Sequence, residues 1–132
     1  MLKFMLDTNI AIYIIKRRPI TVLDTFNRHA GQLCISVVTL AELLHGVEKS
    51  ARPEQNLAAL EDFVSRLDVL EYGTKAAGHY GEIRAELERQ GRPIGVNDLH
   101  IAAHARSEGM ALVTNNLGEF ERVAGLRAEN WI

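Results

Sequence analysis

The sequence lacks the features of several protein classes. Cys34 is the only cysteine, so no disulfide can form within the chain, and a reducing compartment fits. No apolar run approaches the ~20 residues of a membrane-spanning helix, and the start from Met1 to Asp7 is too short and too soon charged for a signal peptide. The 15 basic and 17 acidic residues give a net charge of −2, with no overall attraction to nucleic acid or membrane. These absences predict a cytoplasmic protein that binds no membrane.

What the sequence contains is typical of a globular protein. Its 132 residues are 47% hydrophobic and 24% charged, and a chain of this size can bury enough surface to fold without disulfides or a structural metal. No repeat, low-complexity segment or long linker divides it. We therefore expect a single domain that spans residues 1–132.

Short apolar runs alternate with longer stretches of helical periodicity, separated by glycine and proline. This alternation predicts an α/β fold with a mostly parallel sheet covered by helices on both faces, in three α/β/α layers. The helical periodicity also places Leu44 and Leu57 on inward-facing stripes. The predicted strands are Leu2–Leu6, Leu33–Ser36, Val69–Tyr72, Met110–Thr114 and Leu126–Trp131. The predicted helices are Thr8–Arg17, Pro19–His29, Val38–Ser50, Pro53–Leu67, Thr74–Gln90 and Asn97–Glu108, with a turn or short helix at Asn115–Val123.

Three acids occur where such a fold binds ligands. Asp7 directly follows the first strand, Glu42 lies one turn into the helix after the second, and Asp98 begins the helix that leads to the fourth. Parallel sheets bind ligands beyond the carboxyl ends of their strands. Each acid has a structural alternative, as a helix cap or a solvated side chain. Three convergent carboxylates repel one another unless a cation lies between them, and hard oxygen ligands suit Mg²⁺ or Mn²⁺.

Other constellations give weaker predictions. The single Glu42-x-x-His45 lacks the second copy that a di-iron bundle needs. His100 and His104 share a helix face and could bind a metal, although a packed pair is the favoured interpretation. Asp7 is not followed by the second acid of the Asp-x-Asp phosphatase signature, which weakens an aspartyl-phosphate mechanism.

Two further groups could take part beside an acidic pocket. Asn116 and Glu119 follow the fourth strand. The basic run Lys16, Arg17 and Arg18 is a candidate for contacting phosphates, with a solvated surface as the alternative.

Four motifs together resemble a known family. They are Met5–Asn9, Ser36–Leu43, Asn97–Ala105 and Leu112–Phe120. In this order and spacing they are similar to the PIN-domain ribonucleases, and more narrowly to the VapC toxins of bacterial type II toxin–antitoxin modules. The resemblance covers nearly the whole chain. It implies a PIN-like three-layer domain, a divalent metal and endonucleolytic cleavage of RNA.

The resemblance also implies roles for individual residues. Asp7, Glu42 and Asp98 match the family's first three acids and would be metal ligands. Either Asn116 or Glu119 would fill the fourth position, and the number of metal ions stays open. Thr8 and Asn9 would orient Asp7 or a phosphate.

Substrate and partners follow from the same resemblance. It implies tRNA as the RNA, with the anticodon stem-loop of initiator tRNA as the leading candidate, and hence inhibition of translation. A VapB-type antitoxin, a homodimer and DNA contact only through the antitoxin are implied as well. The alternatives are a PIN-like scaffold that binds RNA without cutting it, and a metal-dependent phosphatase.

Overall fold

Five short strands form a parallel sheet at the centre of the fold. The computed structural model describes residues 1–132. The strand order across the sheet is β3-β2-β1-β4-β5, and all four neighbouring pairs are parallel. All five carboxyl ends therefore lie at one edge. The strands are β1 (Phe4–Leu6), β2 (Leu33–Ser36), β3 (Asp68–Leu70), β4 (Ala111–Val113) and β5 (Ala128–Glu129).

Seven helices connect and cover the strands. Pro53 begins α4, where its missing N–H costs nothing. Gly91 and Gly109 follow the ends of α5 and α6 with a positive φ of 66°, which glycine adopts without strain. The helices are α1 (Thr8–Lys16), α2 (Ile20–Arg28), α3 (Val37–Glu48), α4 (Pro53–Val64), α5 (Thr74–Arg89), α6 (Val96–Ser107) and α7 (Leu117–Phe120).

The core is divided into two parts by the sheet. Met5 and Leu112 pack on one face with residues of α5 and α6. Their chain neighbours Leu6 and Val113 pack on the other face with residues of α1 to α4. All four are fully buried, because successive residues of a strand point to opposite faces and helices cover both. The predicted three-layer α/β/α fold is therefore confirmed.

Some predicted boundaries and burials are wrong. The first and last strands are shorter than the predicted Leu2–Leu6 and Leu126–Trp131, because β4 spans only three residues and only two of them pair with β5. Leu44 and Leu57 are 40% and 38% exposed. They line a shallow apolar depression between α3 and α4 instead of the core, since no further element covers that side of the helix pair. None of the helices is both long and apolar enough to cross a membrane.

Candidate active site

Asp7 lies at the carboxyl edge of the sheet, where β1 passes into α1. Its backbone N–H donates to the carbonyl of Val113 on β4, which extends the parallel ladder by one bond. Its side chain caps α1: Oδ1 accepts the Thr8 N–H at 2.7 Å, and Oδ2 accepts the Thr114 hydroxyl at 2.8 Å. Asp7 is only 4% exposed. It is thus both the helix cap that the sequence allowed and a rigidly held carboxylate.

Glu42 reaches the same edge from α3. Its Oε1 accepts the Thr8 hydroxyl at 2.6 Å, and its Oε2 accepts the Asn97 amide at 3.1 Å. The buried Thr39 hydroxyl lies 3.1 Å from that of Thr8 and completes the contact. These bonds join α1, α3 and α6 through one carboxylate. They also explain how an acid tolerates the apolar stretch of sequence around it: Glu42 is half-buried and fully partnered.

Asp98 stands in the first turn of α6, close to the other acids. The pKa of this carboxyl is raised to about 7, first by burial, then by the charge of Asp7, by a hydrogen bond to Glu119 and by the charges of Glu119 and Glu42. Two carboxyl groups can form such a bond only if one of them carries a proton. In the absence of a cation, the cluster therefore holds a proton near neutral pH.

The position after β4 is shared by Asn116 and Glu119. The amide of Asn116 donates to Glu119 Oε2 at 3.0 Å, and its backbone N–H donates to the Thr114 hydroxyl at 2.9 Å. Glu119 in turn contacts Asp98. The carboxylate of this pair is thus the member that reaches the acidic cluster, and the amide holds it there.

The donor set of the cluster suits a hard divalent cation. Burial raises the pKa of Asp7, against the opposing effect of its bonds from Thr114 and Thr8, and the charges of Glu42 and Glu119 add to the rise. A cation would relieve this repulsion. The structure contains no group of three or more His, Cys, Asp or Glu side chains arranged to hold a metal ion. Asp7 and Glu42 direct both of their oxygens at protein donors. Each carboxylate oxygen has a second lone pair, and oxygen ligands of this kind suit Mg²⁺ or Mn²⁺, so the donor set of the cluster fits such an ion.

The other predicted residues make no hydrogen bond to the acids. The side chain of Asn9 is exposed on α1, two residues after Asp7. Lys16, Arg17 and Arg18 are exposed at the opposite end of α1 from Asp7. A helix of nine residues is about 13 Å long at 1.5 Å per residue, so the basic run lies about that far along α1 from Asp7, and its contact with phosphates stays a prediction.

Three residues of the site were missed as functional residues by the sequence reasoning. They are Thr39, Thr114 and Asn97, which hold the acids in position. Thr114 and Thr39 are fully buried. A polar residue at the end of an apolar strand, as in Val113-Thr114, is the signal that could have pointed to one of them.

The histidine alternatives find no support in the geometry. His104 is buried, and its Nδ1 lies 2.8 Å from the Ser36 hydroxyl. His100 Nδ1 lies 2.9 Å from the Tyr72 hydroxyl. Each ring thus has a separate protein partner, as expected of a packed pair. His45 is exposed.

Comparison with known proteins supports the family assignment. Residues 4–126 match the PIN domain family. The chain is 62% identical over 132 residues to Ribonuclease VapC2 of Haemophilus influenzae, with all of both proteins covered. The chain belongs to the PIN-domain family, in its VapC branch. The resemblance inferred from the motifs is therefore confirmed.

Two further relatives are similar over nearly their full length. The tRNA(fMet)-specific endonuclease VapC of Shigella flexneri is 62% identical over 131 residues, with 99% of each chain covered. A chain in the crystal structure of DNA-bound VapBC from Salmonella typhimurium superposes with a TM-score of 0.96, at 55% identity and with 100% of both chains covered. The fold of the present chain is therefore that of its VapC relatives.

Proposed function

We propose that the protein is the toxin of a toxin–antitoxin module and a metal-dependent endoribonuclease, which cleaves tRNA and thereby inhibits translation. The observation that carries this proposal is the convergence of Asp7, Glu42, Asp98 and Glu119 at the carboxyl edge of the sheet, with the pKa of Asp98 raised to about 7. Such a cluster favours a cation, and a cation in an acidic pocket suits the cleavage of an anionic phosphodiester.

Asp7, Glu42 and Asp98 would hold Mg²⁺, with Mn²⁺ as a possible substitute. When bound, the metal would neutralise the charge of the phosphate and lower the pKa of a water molecule. The Thr8 N–H and the Thr114 hydroxyl hold the carboxylate of Asp7 in place, and the Asn97 amide holds that of Glu42. This preorganisation reduces the reorganisation needed when the substrate binds.

Glu119 would be the fourth catalytic carboxylate. Asn116 restrains one of its oxygens, and Asp98 lies beside it. The hydrogen bond between the two carboxyl groups supports a role in holding a proton. We infer that Glu119 accepts a proton from the attacking water, with Asn116 as the residue that positions it.

The leading candidate substrate is initiator tRNA, cut in its anticodon stem-loop. The support is similarity to the tRNA(fMet)-specific endonuclease of Shigella flexneri, at 62% identity over 131 residues. Unpaired loop bases can be splayed out and recognised, which double-stranded RNA does not allow. Loss of intact initiator tRNA would stop translation initiation.

A groove between α1, α3 and α4 supports the proposal of a VapB-type antitoxin. It has a volume of about 350 Å³, and it is lined largely by apolar side chains such as Ile12 and Leu60, together with Glu42. Lys16 also lines it. An antitoxin tail with apolar anchors and one basic residue would fill this groove and neutralise the acids. In this proposal the toxin forms a homodimer, acts in the cytoplasm as a single domain over residues 1–132, and reaches operator DNA only through the antitoxin.

The test is cleavage of total tRNA and of a chromogenic phosphate ester by purified protein, with Mg²⁺, Mn²⁺ or EDTA. We expect Mg²⁺-dependent tRNA cleavage and no ester hydrolysis. Asp7→Asn should remove cleavage, whereas Asp24→Asn, which alters an exposed acid on α2 outside the cluster, should retain it. Hydrolysis of the ester would favour the phosphatase, and tRNA binding without cleavage would favour the scaffold. Equal cleavage by the wild type and the Asp7 variant would refute the site.

A further inference from the structure

Three aromatic rings form a stack that the acidic site does not use. Tyr80 lies parallel to His100, with ring centroids 4.2 Å apart and an interplanar angle of 10°. Tyr72 meets His100 edge-on at 5.1 Å, and its hydroxyl lies 2.9 Å from His100 Nδ1. Arg84 donates to the Tyr80 hydroxyl at 2.6 Å, and its guanidinium carbon lies 5.9 Å from the centre of that ring. Tyr72, Tyr80, His100 and Arg84 are named here the aromatic stack.

The aromatic stack lies on the same edge of the sheet as the acids. Tyr72 follows β3, two strands away from β1 and Asp7. Neighbouring strands are about 4.8 Å apart, so the offset across the sheet is about 10 Å, the length of about three stacked nucleotides. His100 also lies one turn along α6 from Asn97, which contacts Glu42. An RNA strand held at the acids can therefore reach the stack.

The rings are not simply core residues. Tyr72, Tyr80 and His100 are all half-buried and Arg84 is exposed, whereas the side chains of the core on that face are buried, with Phe120 as the aromatic member. Tyr80 packs against this core from outside. Parallel rings with a guanidinium at one end are the arrangement that accepts a further planar group by stacking and cation–π contact. Nucleobases are planar, and every base offers such a face.

We propose that the aromatic stack binds an unpaired nucleobase of the RNA, within about three nucleotides of the bond that is cut. Arg84 contributes a positive charge that attracts the phosphate backbone of the RNA next to this base. Because stacking tolerates any base, this subsite would select nucleotides that are free to leave a helix, as in a loop, rather than a particular sequence. The inference rests on the proposed RNA substrate and extends it to a defined binding subsite.

The test measures RNA binding separately from cleavage. An RNA hairpin with 2-aminopurine at each loop position in turn is titrated with Asp7→Asn protein, and quenching reports stacking of that base. We expect quenching at one or two adjacent positions. Tyr80→Leu in the same background should remove the quenching and weaken binding by about 5- to 150-fold, the usual effect of losing one base–aromatic stack.

Two matched variants control for folding and charge. Tyr80→Phe keeps the ring and should keep the quenching, while thermal melting verifies that Tyr80→Leu is folded. Arg84→Gln should weaken binding more than Arg89→Gln. Both arginines are exposed on α5 and paired with a glutamate, Arg84 with Glu88 and Arg89 with Glu86, but only Arg84 contacts Tyr80.

Failure of this inference differs from failure of the proposed function. Equal RNA binding by the parent and folded Tyr80→Leu would overturn the subsite even if the wild type cleaves tRNA. Quenching that depends on Tyr80 would support the subsite even if the wild type proves to cleave nothing.

Discussion

Replacing Asp98 by asparagine should stabilise the metal-free protein at neutral pH while it removes activity. The pKa of Asp98 is raised from 3.8 to about 7, chiefly by burial and then by the charge of Asp7. Above this pH the Asp98 carboxylate is ionised in the folded protein, although it is partly buried and lies beside other negative charges. Asparagine is close in shape, carries no charge and can donate to Glu119.

The magnitude follows from the shift of the pKa. A rise of about three units at 1.36 kcal/mol each sets an upper limit of about 4 kcal/mol. Asp98 is half-buried, and solvent screens the repulsion, so a gain of about 1–2 kcal/mol is expected. For a protein of this size this corresponds to a rise in Tm of about 3–8 °C.

The pH dependence has a definite sign. In the unfolded chain Asp98 ionises at its ordinary pKa of 3.8, whereas in the folded protein it stays protonated up to about 7. The folded state therefore binds the extra proton, and wild-type stability falls as the pH rises through this window. The difference in the free energy of unfolding between the wild type and Asp98→Asn should be absent below pH 4 and should reach its full size above pH 7.

Thermal unfolding in EDTA, followed by circular dichroism from pH 4 to pH 8, measures this difference. Asp24→Asn is the matched control and should follow the wild type at every pH. Adding Mg²⁺ at neutral pH should make the Tm of the wild type higher than that of Asp98→Asn, because only the wild type gains stability by binding the ion at this position. Parallel pH profiles for the wild type and Asp98→Asn in EDTA would refute the reasoning.

Three further predictions concern the neighbouring residues. Glu42→Gln should abolish the increase in Tm that Mg²⁺ gives the wild type; an equal increase in both would place the metal elsewhere. Thr114→Val removes a buried hydroxyl that bonds both Asp7 and the Asn116 N–H, so unfolding in urea should show a loss of about 1–3 kcal/mol, and no loss would contradict these bonds. Glu119→Gln should reduce kcat more than Asn116→Ala does, since only the former removes the carboxylate; the reverse order in tRNA cleavage assays would assign the fourth position to the amide.

Local patterns in the sequence were sufficient to predict the elements and their class. Apolar alternation, helical spacing and the glycines after α5 and α6 act between residues that are close in the chain, and so does the placement of Asp7 at the end of β1. The prediction was less accurate at strand ends, because the length of a strand depends on its neighbour in the sheet. Leu57 shows the same limit: its spacing is that of a buried residue, but no further element covers it.

The partners of the acids were decided only by the tertiary structure. The bond from Thr114 to Asp7 joins residues 107 positions apart, and that from Asn97 to Glu42 joins residues 55 positions apart. Both depend on the strand order β3-β2-β1-β4-β5, which no local pattern encodes. The sequence by itself determined which acids were available and at which edge of the sheet they would lie. Long-range packing decided which donors restrain them and how strongly they repel, because hydrogen bonds and desolvation depend on the groups that surround a side chain in space.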